Sequence, residues 1–302
     1  MNKEHSVDII IPTFRPDADF GLLLRRLGMQ SVRPHKIIII NTDENEWTGC
    51  GADKLADDAV RDICEIHHIT KAEFNHGFSR NYGAGFSDAD YFICMTQDAI
   101  PADEFLIEKL ISEMGEKVKM VYARQIPKND ARDIEKITRK FNYPDESVIK
   151  GLKDIDELGI KTFFASNVCC AYDHAIFDEL GGFVDKTDFN EDMIYASKLV
   201  KAEYLISYCA DARVMHSHNY TPVQQFKRNY HLAVSQAEHP EVFGGIKSES
   251  EGIKLVKETA GILKAEGKLY LIPELIFTSG MKYLGYRAGK IPSRRSKNKS
   301  DE

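Results

Sequence analysis

VDIIIPTF, residues 7–14, decides the fold: it is an apolar run stopped by Pro12, the pattern of a strand buried on both faces. DFGLLLRRLGMQ follows at 19–30, with Phe20, Leu23, Leu24 and Leu27 at helical spacing. HKIIIINTD, residues 35–43, is a second buried strand. Strand, helix and strand within about 35 residues make a βαβ unit with a parallel pair. The pattern continues. RNYGAGFSDA (80–89) reads as a short helix with small residues for close packing, and YFICMT (91–96) as a strand. DEFLIEKLISEM (103–114) is an amphipathic helix and KMVYA (119–123) a further strand. Through about residue 123 this is doubly wound α/β, in which ligands sit at the carboxyl ends of the strands. Thr13, Asn41 and Asp98 fall at such ends, so one cleft can collect all three.

Residues 124–160 are charged and weakly periodic and read as a mobile excursion or lid. FFASNVCCAY (163–172) returns to strand, and DHAIFDELGG (173–182) is a short helix with a glycine stop. NEDMIYASKLVKA (190–202) is a helix; YLISYC (204–209) and ARVM (212–215) are two short strands ending at HSHNY. In TPVQQFKRNYHLAVSQAEH (221–239), Thr221 is the N-cap and Pro222 opens the first turn.

The chain has 302 residues, 43% hydrophobic and 29% charged, within the range of soluble globular proteins. A net charge of −7 argues against a general nucleic-acid binder. From Lys282 onward, seven Lys/Arg face two acids, so this tail is +5 and residues 1–281 carry −12. A basic tail on an acidic body fits an anionic surface as partner. The six cysteines show no CxxC spacing and read as reduced thiols of a cytoplasmic protein. MNKEHSVDIII lacks the apolar stretch of a signal peptide, and no run reaches the roughly 18 residues of a membrane span.

Three motifs carry chemistry. Asp98 follows its strand, Glu191 and Asp192 open a helix, and His216 and His218 flank Ser217 at a strand end. Carboxylate and imidazole are mixed ligands for Mn²⁺ or Mg²⁺. Read alone, each motif has a plainer alternative: a turn residue ahead of Pro101, acids complementing a helix dipole, and a surface loop. No GxxxxGK[ST] loop and no GxGxxG follows the first strand, so a P-loop enzyme or dehydrogenase is disfavoured.

In order, IIIPTFRP, IIIINTDENEW, FNHGFSRNYGA, FICMTQDAIP, NEDMIYASKLV and VMHSHNYTPVQQFKRNY resemble a family 2 inverting glycosyltransferase of GT-A fold, nearest in character to bacterial rhamnosyltransferase-like members. The motifs span residues 7 to about 235. The resemblance implies an α/β fold, a GT-A-type doubly wound mixed sheet flanked by helices with a C-terminal helical extension. It implies a nucleotide-sugar half at 1–123, an acceptor and catalytic half at 124–240 with the mobile segment 124–160, and a basic helical extension at 241–302. Pro12 and Thr13 match the first-strand motif lining the nucleotide site. Asn41, Thr42 and Asp43 fall where many members carry a base-contacting Asp; an Asn amide can still pair with a pyrimidine. Arg80 matches the Arg-Asn-x-Gly element that meets base or diphosphate. TQDA matches the metal motif through Asp98, His216 matches the family's late histidine with His218 in reserve, and Asp192 beside Glu191 matches the catalytic base. Asn167 and Arg228 fall on the acceptor side.

The chemistry so implied is a single in-line displacement at the anomeric carbon. One carboxylate removes the acceptor proton, and a divalent cation, Mn²⁺ or Mg²⁺, offsets charge on the departing diphosphate. The expected donor is a dTDP- or UDP-sugar, with L-rhamnose the sugar that the resemblance favours, and the acceptor a glycan or lipid-linked oligosaccharide of the bacterial cell surface. KLYLIPELIFTSGMKYLGYRAGKIPSRRSKNK (268–299) mixes apolar and basic residues, as expected of a peripheral contact at the inner membrane face. Two rivals stand beside this reading: a non-catalytic nucleotide- or sugar-binding partner of an assembly complex, and a sugar-nucleotide nucleotidyltransferase. The latter requires a glycine- and basic-rich loop after the first strand, which IIIPTFRPDADFG does not supply.

Overall fold

The structure, a computed structural model, describes residues 5–51, 60–244 and 249–291. The described residues fall into two compact units: those up to 187 together with 191–218, and 188–190 together with those from 219 onward.

The first unit is built on a mixed sheet. Strands β1 (Val7–Thr13), β2 (Lys36–Thr42), β3 (Cys64–Ile69) and β4 (Tyr91–Met95) pair in parallel in the order β3-β2-β1-β4. Helices α1 (Ala18–Gly28), α2 (Glu44–Gly49) and α3 (His76–Ala84) connect them. Along β1 the side chains alternate between two buried faces. Val7, Ile9 and Ile11 pack with Phe20, Leu23, Leu24 and Leu27 of α1, as the helical spacing predicts. Ile10 points the other way, toward α3, where a Cβ on Gly83 would crowd its side chain. The Asp17 side chain caps α1 by accepting from Asp19 N at 3.0 Å.

After the short β5 (Ile100–Pro101) come α4 (Leu106–Ser112), β6 (Val118–Ile126), α5 (Asp133–Asn142), β7 (Val148–Lys150), α6 (Ile155–Leu158), β8 (Cys169–Asp173), α7 (His174–Glu179), α8 (Glu191–Lys201) and β9 (Leu205–Met215). The sheet runs β3-β2-β1-β4-β8-β6-β9-β5, with β7 on β9. Thus β6 does not extend the parallel series beside β4: β8 lies between them, antiparallel to both, and β6 pairs in parallel with β9. The stretch 204–215 holds one strand where the sequence predicts two. The break in its pattern is a register slip: Ala123 pairs with Cys209 but Arg124 with Arg213, leaving Ala210, Asp211 and Ala212 without β6 partners.

Residues 124–160 are also more regular than an excursion. They contain the end of β6, α5, and β7 paired to β9. The buried Lys150 amine ties this segment down by donating to Phe164 O at 2.6 Å, Lys161 O at 3.0 Å and Tyr122 Oη at 3.2 Å. Burial there pushes the amine down to about 7.

In the second unit, α9 (Pro222–Glu238) begins at Thr221, whose hydroxyl accepts from Gln224 N while Gln224 reaches back to Thr221 N. Then follow α10 (Pro240–Phe243), α11 (Glu249–Ala265) and α12 (Ile272–Gly289). Helix α12 packs on α9 through Gly285 and Gly289, where any Cβ would overlap the Phe226 and Tyr230 carbonyls.

Candidate active site

The side chains that the sequence marks as site candidates in the first unit collect at one end of the sheet. There the carboxyl ends of β1, β2, β4, β6 and β9 meet the amino end of β8. Thr13 stands opposite Asn41, and Thr96 N donates to Val168 O at 3.2 Å. Asp98 lies two residues beyond that rung and Asn167 one before it.

The first cluster is Asp98, His216 and His218. A turn after β4, closed by Ala99 N donating to Thr96 O, presents Asp98, and His216 N donates to Ile126 O at 2.9 Å at the end of β9. Asp98 Oδ2 is 3.5 Å from His216 Nε2 and 3.3 Å from His218 Nε2, and the two imidazole nitrogens are 3.1 Å apart. The three ligand atoms lie within 4.8 Å of one another, as a shared divalent cation requires. Burial pushes His216 down to about 3, so its ring is neutral at physiological pH. Burial alone would raise Asp98, but the imidazoles, the Thr96 hydroxyl and Lys128 outweigh it and hold the carboxyl below its usual range. A neutral imidazole and an ionised carboxylate are the protonation states that bind metal.

Around His216 lies a layer for which the sequence carries no signal. Gln125 of β6 places Oε1 at 3.0 Å from His216 Nδ1 and accepts from Arg139 Nη1 of α5. Its Nε2 reaches Tyr143 Oη at 2.6 Å and Ser166 Oγ at 2.9 Å. Gln97 of the TQDA turn is directed elsewhere: its Oε1 accepts from Phe14 N at 2.8 Å and its Nε2 donates to Phe14 O at 3.2 Å.

The second cluster holds the acids of α8. Glu191, 6% exposed, lies 3.1 Å from Arg80 Nη1, and its Oε1 accepts from Asn167 Nδ2 at 3.0 Å. Asn167 Oδ1 accepts from Tyr172 Oη at 2.6 Å. Asp192, largely but not fully buried, accepts from Asn167 N at 3.1 Å and Met193 N at 2.8 Å. Although Glu191 is buried, Arg80, His76 and Asn167 hold it below the usual carboxylate range. Asp192 is pushed up to about 7, by burial first and by the Glu191 charge second. One acid is thereby fixed as an anion and its neighbour is left able to exchange a proton near neutrality.

The ends of β1 and β2 form a third group with Pro12, Thr13, Asn41, Thr42 and Asp43. Asn41 is fully buried: its Oδ1 accepts from Thr13 Oγ1 at 3.3 Å, and its Nδ2 contacts Asp43 O at 3.1 Å and His68 Nδ1 at 2.9 Å. Asp43 adopts φ 69° and caps α2. Its carboxylate meets Lys71 Nζ at 2.9 Å, and Lys71 and Arg15 both pair with Glu46. Phe14 stands exposed between these two cations, 5.2 Å from the Arg15 guanidinium and 5.5 Å from Lys71 Nζ. Arg80 is placed with the α8 acids, also donating to His76 O at 2.9 Å. Arg228 belongs to the second unit, on α9, with its guanidinium 5.1 Å from the Phe189 ring centre and 5.6 Å from that of Tyr220.

Residues 8–181 match the family described as glycosyl transferase family 2. The chain is 37% identical over 289 residues to the O-antigen chain rhamnosyltransferase RfbN of Salmonella typhimurium, covering 94% of this chain and 89% of that protein. It is 36% identical over 291 residues to the O-antigen chain rhamnosyltransferase WbaN of Salmonella anatum, with the same coverage. Among solved structures, the mannosyltransferase PcManGT from Pyrobaculum calidifontis, in complex with GDP-Man and Mn²⁺, superposes with a TM-score of 0.65 at 11% identity over 97% of this chain and 89% of that one. S. aureus TarS 1–349 in complex with UDP-GlcNAc gives 0.53 at 13% identity over 96% of this chain and 92% of that one. These likenesses support the GT-A-type fold.

Proposed function

Because this chain belongs to glycosyl transferase family 2 and is a glycosyltransferase, we propose that it is a metal-dependent inverting rhamnosyltransferase of surface-polysaccharide synthesis, with Asp192 as its base. The observation that carries this is the split of the α8 acids. Glu191 is occupied by Arg80 and Asn167, whereas Asp192 is held by two backbone N–H groups and pushed up to about 7.

Asp192 takes the proton of the acceptor hydroxyl as its oxygen bonds to the anomeric carbon, and the sugar inverts in that single displacement. Backbone donation from Asn167 and Met193 fixes the carboxylate orientation. Asp98, His216 and His218 are the residues that would hold a divalent cation, Mn²⁺ or Mg²⁺. Such an ion supplies Lewis-acid neutralisation of the leaving diphosphate. Phe14, Thr13 and Asp43 border the place for the base of a dTDP- or UDP-linked donor, with Phe14 offering an exposed ring face. The PcManGT complex with GDP-Man and Mn²⁺ and the TarS complex with UDP-GlcNAc support a nucleoside-diphosphate-sugar donor, and the O-antigen chain rhamnosyltransferases support rhamnose as the sugar and a glycan chain as the acceptor.

The second unit supports a peripheral contact with the inner membrane face. No helix among the described residues is long and apolar enough to cross a membrane. Yet α12, besides its α9-facing side, exposes Ile276, Phe277, Tyr283 and Leu284. A helix apolar on both sides calls for cover on both. Exposed Arg287 and Lys290 follow at its end, in a chain region of net charge +5. This combination suits an anionic bilayer surface.

The test is transfer from dTDP-rhamnose, compared with UDP-sugars, onto an extracted lipid-linked oligosaccharide, with anomeric configuration read by NMR. Metal-dependent, inverted rhamnoside from the wild type and none from Asp192→Asn is the expected result. Transfer that survives thorough chelation, or a retained anomeric configuration, overturns the reading.

A further inference from the structure

The side chain of Gln125 is 98% removed from solvent, at 2% exposure, and four groups surround its amide. Arg139 donates to one end, and a guanidinium has no acceptor, so the atom facing it must be the oxygen. The opposite end is then the NH₂, and it faces Tyr143 Oη and Ser166 Oγ, both of which can accept. His216 Nδ1 sits 3.0 Å from the same oxygen. An amide oxygen only accepts, so Nδ1 must carry a hydrogen. In a neutral ring the lone pair is then on Nε2, the atom 3.5 Å from Asp98 and 3.1 Å from His218.

We infer that Gln125 is the positioning residue of the Asp98–His216–His218 cluster: it locks His216 in the Nδ1–H tautomer with the Nε2 lone pair turned toward Asp98 and His218. Arg139 in turn fixes Gln125, and Glu135 holds Arg139 Nε at 2.7 Å. Helix α5 thus reaches the cluster through three side chains, Glu135, Arg139 and Gln125. Imidazole ligands commonly donate their second N–H to a fixed oxygen, and loss of that partner typically costs about 10–100-fold in metal affinity or activity. The use of this arrangement rests on the cation reading proposed above; the tautomer does not.

The decisive measurement is a long-range ¹H–¹⁵N correlation spectrum of the histidine rings in metal-free, ¹⁵N-labelled full-length protein at pH 7.5, with His216 assigned by His216→Gln. The expected spectrum has His216 protonated at Nδ1. Gln125→Met, similar in length but without an acceptor, is expected to lose the single tautomer and to bind Mn²⁺ about 10–100-fold more weakly by EPR of free Mn²⁺. Gln125→Glu retains an acceptor for both His216 and Arg139 and should keep the tautomer and most of the affinity. Nε2–H in the wild type overturns the inference without any variant, so a misfolded Gln125→Met leaves it decidable. An unchanged tautomer and Mn²⁺ affinity in folded Gln125→Met also overturns it. A wild type with the Nδ1–H tautomer that fails to bind Mn²⁺ supports the positioning role and instead defeats the cation reading.

Discussion

Arg80→Met is expected to be among the most destabilising single substitutions in the first unit. The guanidinium is 3.1 Å from Glu191, and the two residues are 3% and 6% exposed. At that separation and an effective dielectric constant of about 20, the attraction is about 5 kcal/mol. Removing the cation alone leaves a buried carboxylate without its ion-pair partner, with Asn167 still donating to it, a situation that costs about 3–5 kcal/mol. In a unit of this size that lowers Tm by roughly 10 °C. Glu191→Gln in the same chain removes the stranded charge while its amide oxygen can still accept from Asn167. The double variant should therefore recover most of the loss, a coupling of at least about 2 kcal/mol in the mutant cycle. The pH dependence has a definite sign. Glu191 is depressed in the folded wild type, so its contribution is present above the unfolded carboxyl value near 4.5 and lost as pH falls through the lower folded value. Without Arg80 the largest cause of that depression is gone while burial remains, so Glu191 takes up a proton at higher pH and the deficit relative to wild type narrows on acidification. Urea unfolding at pH 7.5 and pH 5 for the four proteins of the cycle measures all of this. A deficit below about 1 kcal/mol, or a double variant no more stable than Arg80→Met, would refute the electrostatic account.

Asp192→Asn should lower kcat by about 10²–10⁴-fold while leaving donor KM nearly unchanged, read in steady-state transfer assays. In the wild type, kcat/KM should rise with pH through about 7, because Asp192 must be deprotonated to act; a profile flat from pH 5 to 8 excludes it as the base. Thermal shift by dTDP or UDP should require Mn²⁺ or Mg²⁺ and vanish in Asp98→Ala, since only a ligand favouring the folded state raises Tm; metal-independent stabilisation in that variant would speak against the cluster. Phe277→Ser with Leu284→Ser should reduce co-sedimentation with anionic vesicles without changing transfer to a soluble acceptor, and equal sedimentation of both proteins would remove α12 from the membrane contact.

Sequence pattern reached as far as local chemistry reaches. The βαβ opening was legible because burial on both faces of β1 and β2 leaves apolar runs, and the stripe of α1 leaves its own period. Asp98, Asp192 and His216 were legible as residue types at strand and helix ends. The insertion of β8 between β4 and β6 was not, because CCAYD is buried on both faces and carries no mark of its partners. The inward turn of Asn41 depends on His68, 27 residues away, and the pairing of Arg80 with Glu191 on a contact across more than a hundred. Gln125 had no local signature at all: its value comes from β6 lying beside β9, which brings it to His216.

The slip in β9 has a consequence for how this chain tolerates changes in length. Alternation along a strand means that one inserted or deleted residue turns every later side chain to the opposite face. Between Arg213 and Met215 such a change would swing His216 away from Asp98. At Ala210, Asp211 and Ala212, which have no β6 partners, the same change can be taken up before the ladder resumes at Arg213. The strand thus has an expansion joint upstream of the histidine, whose phase is set by the ladder that resumes at Arg213.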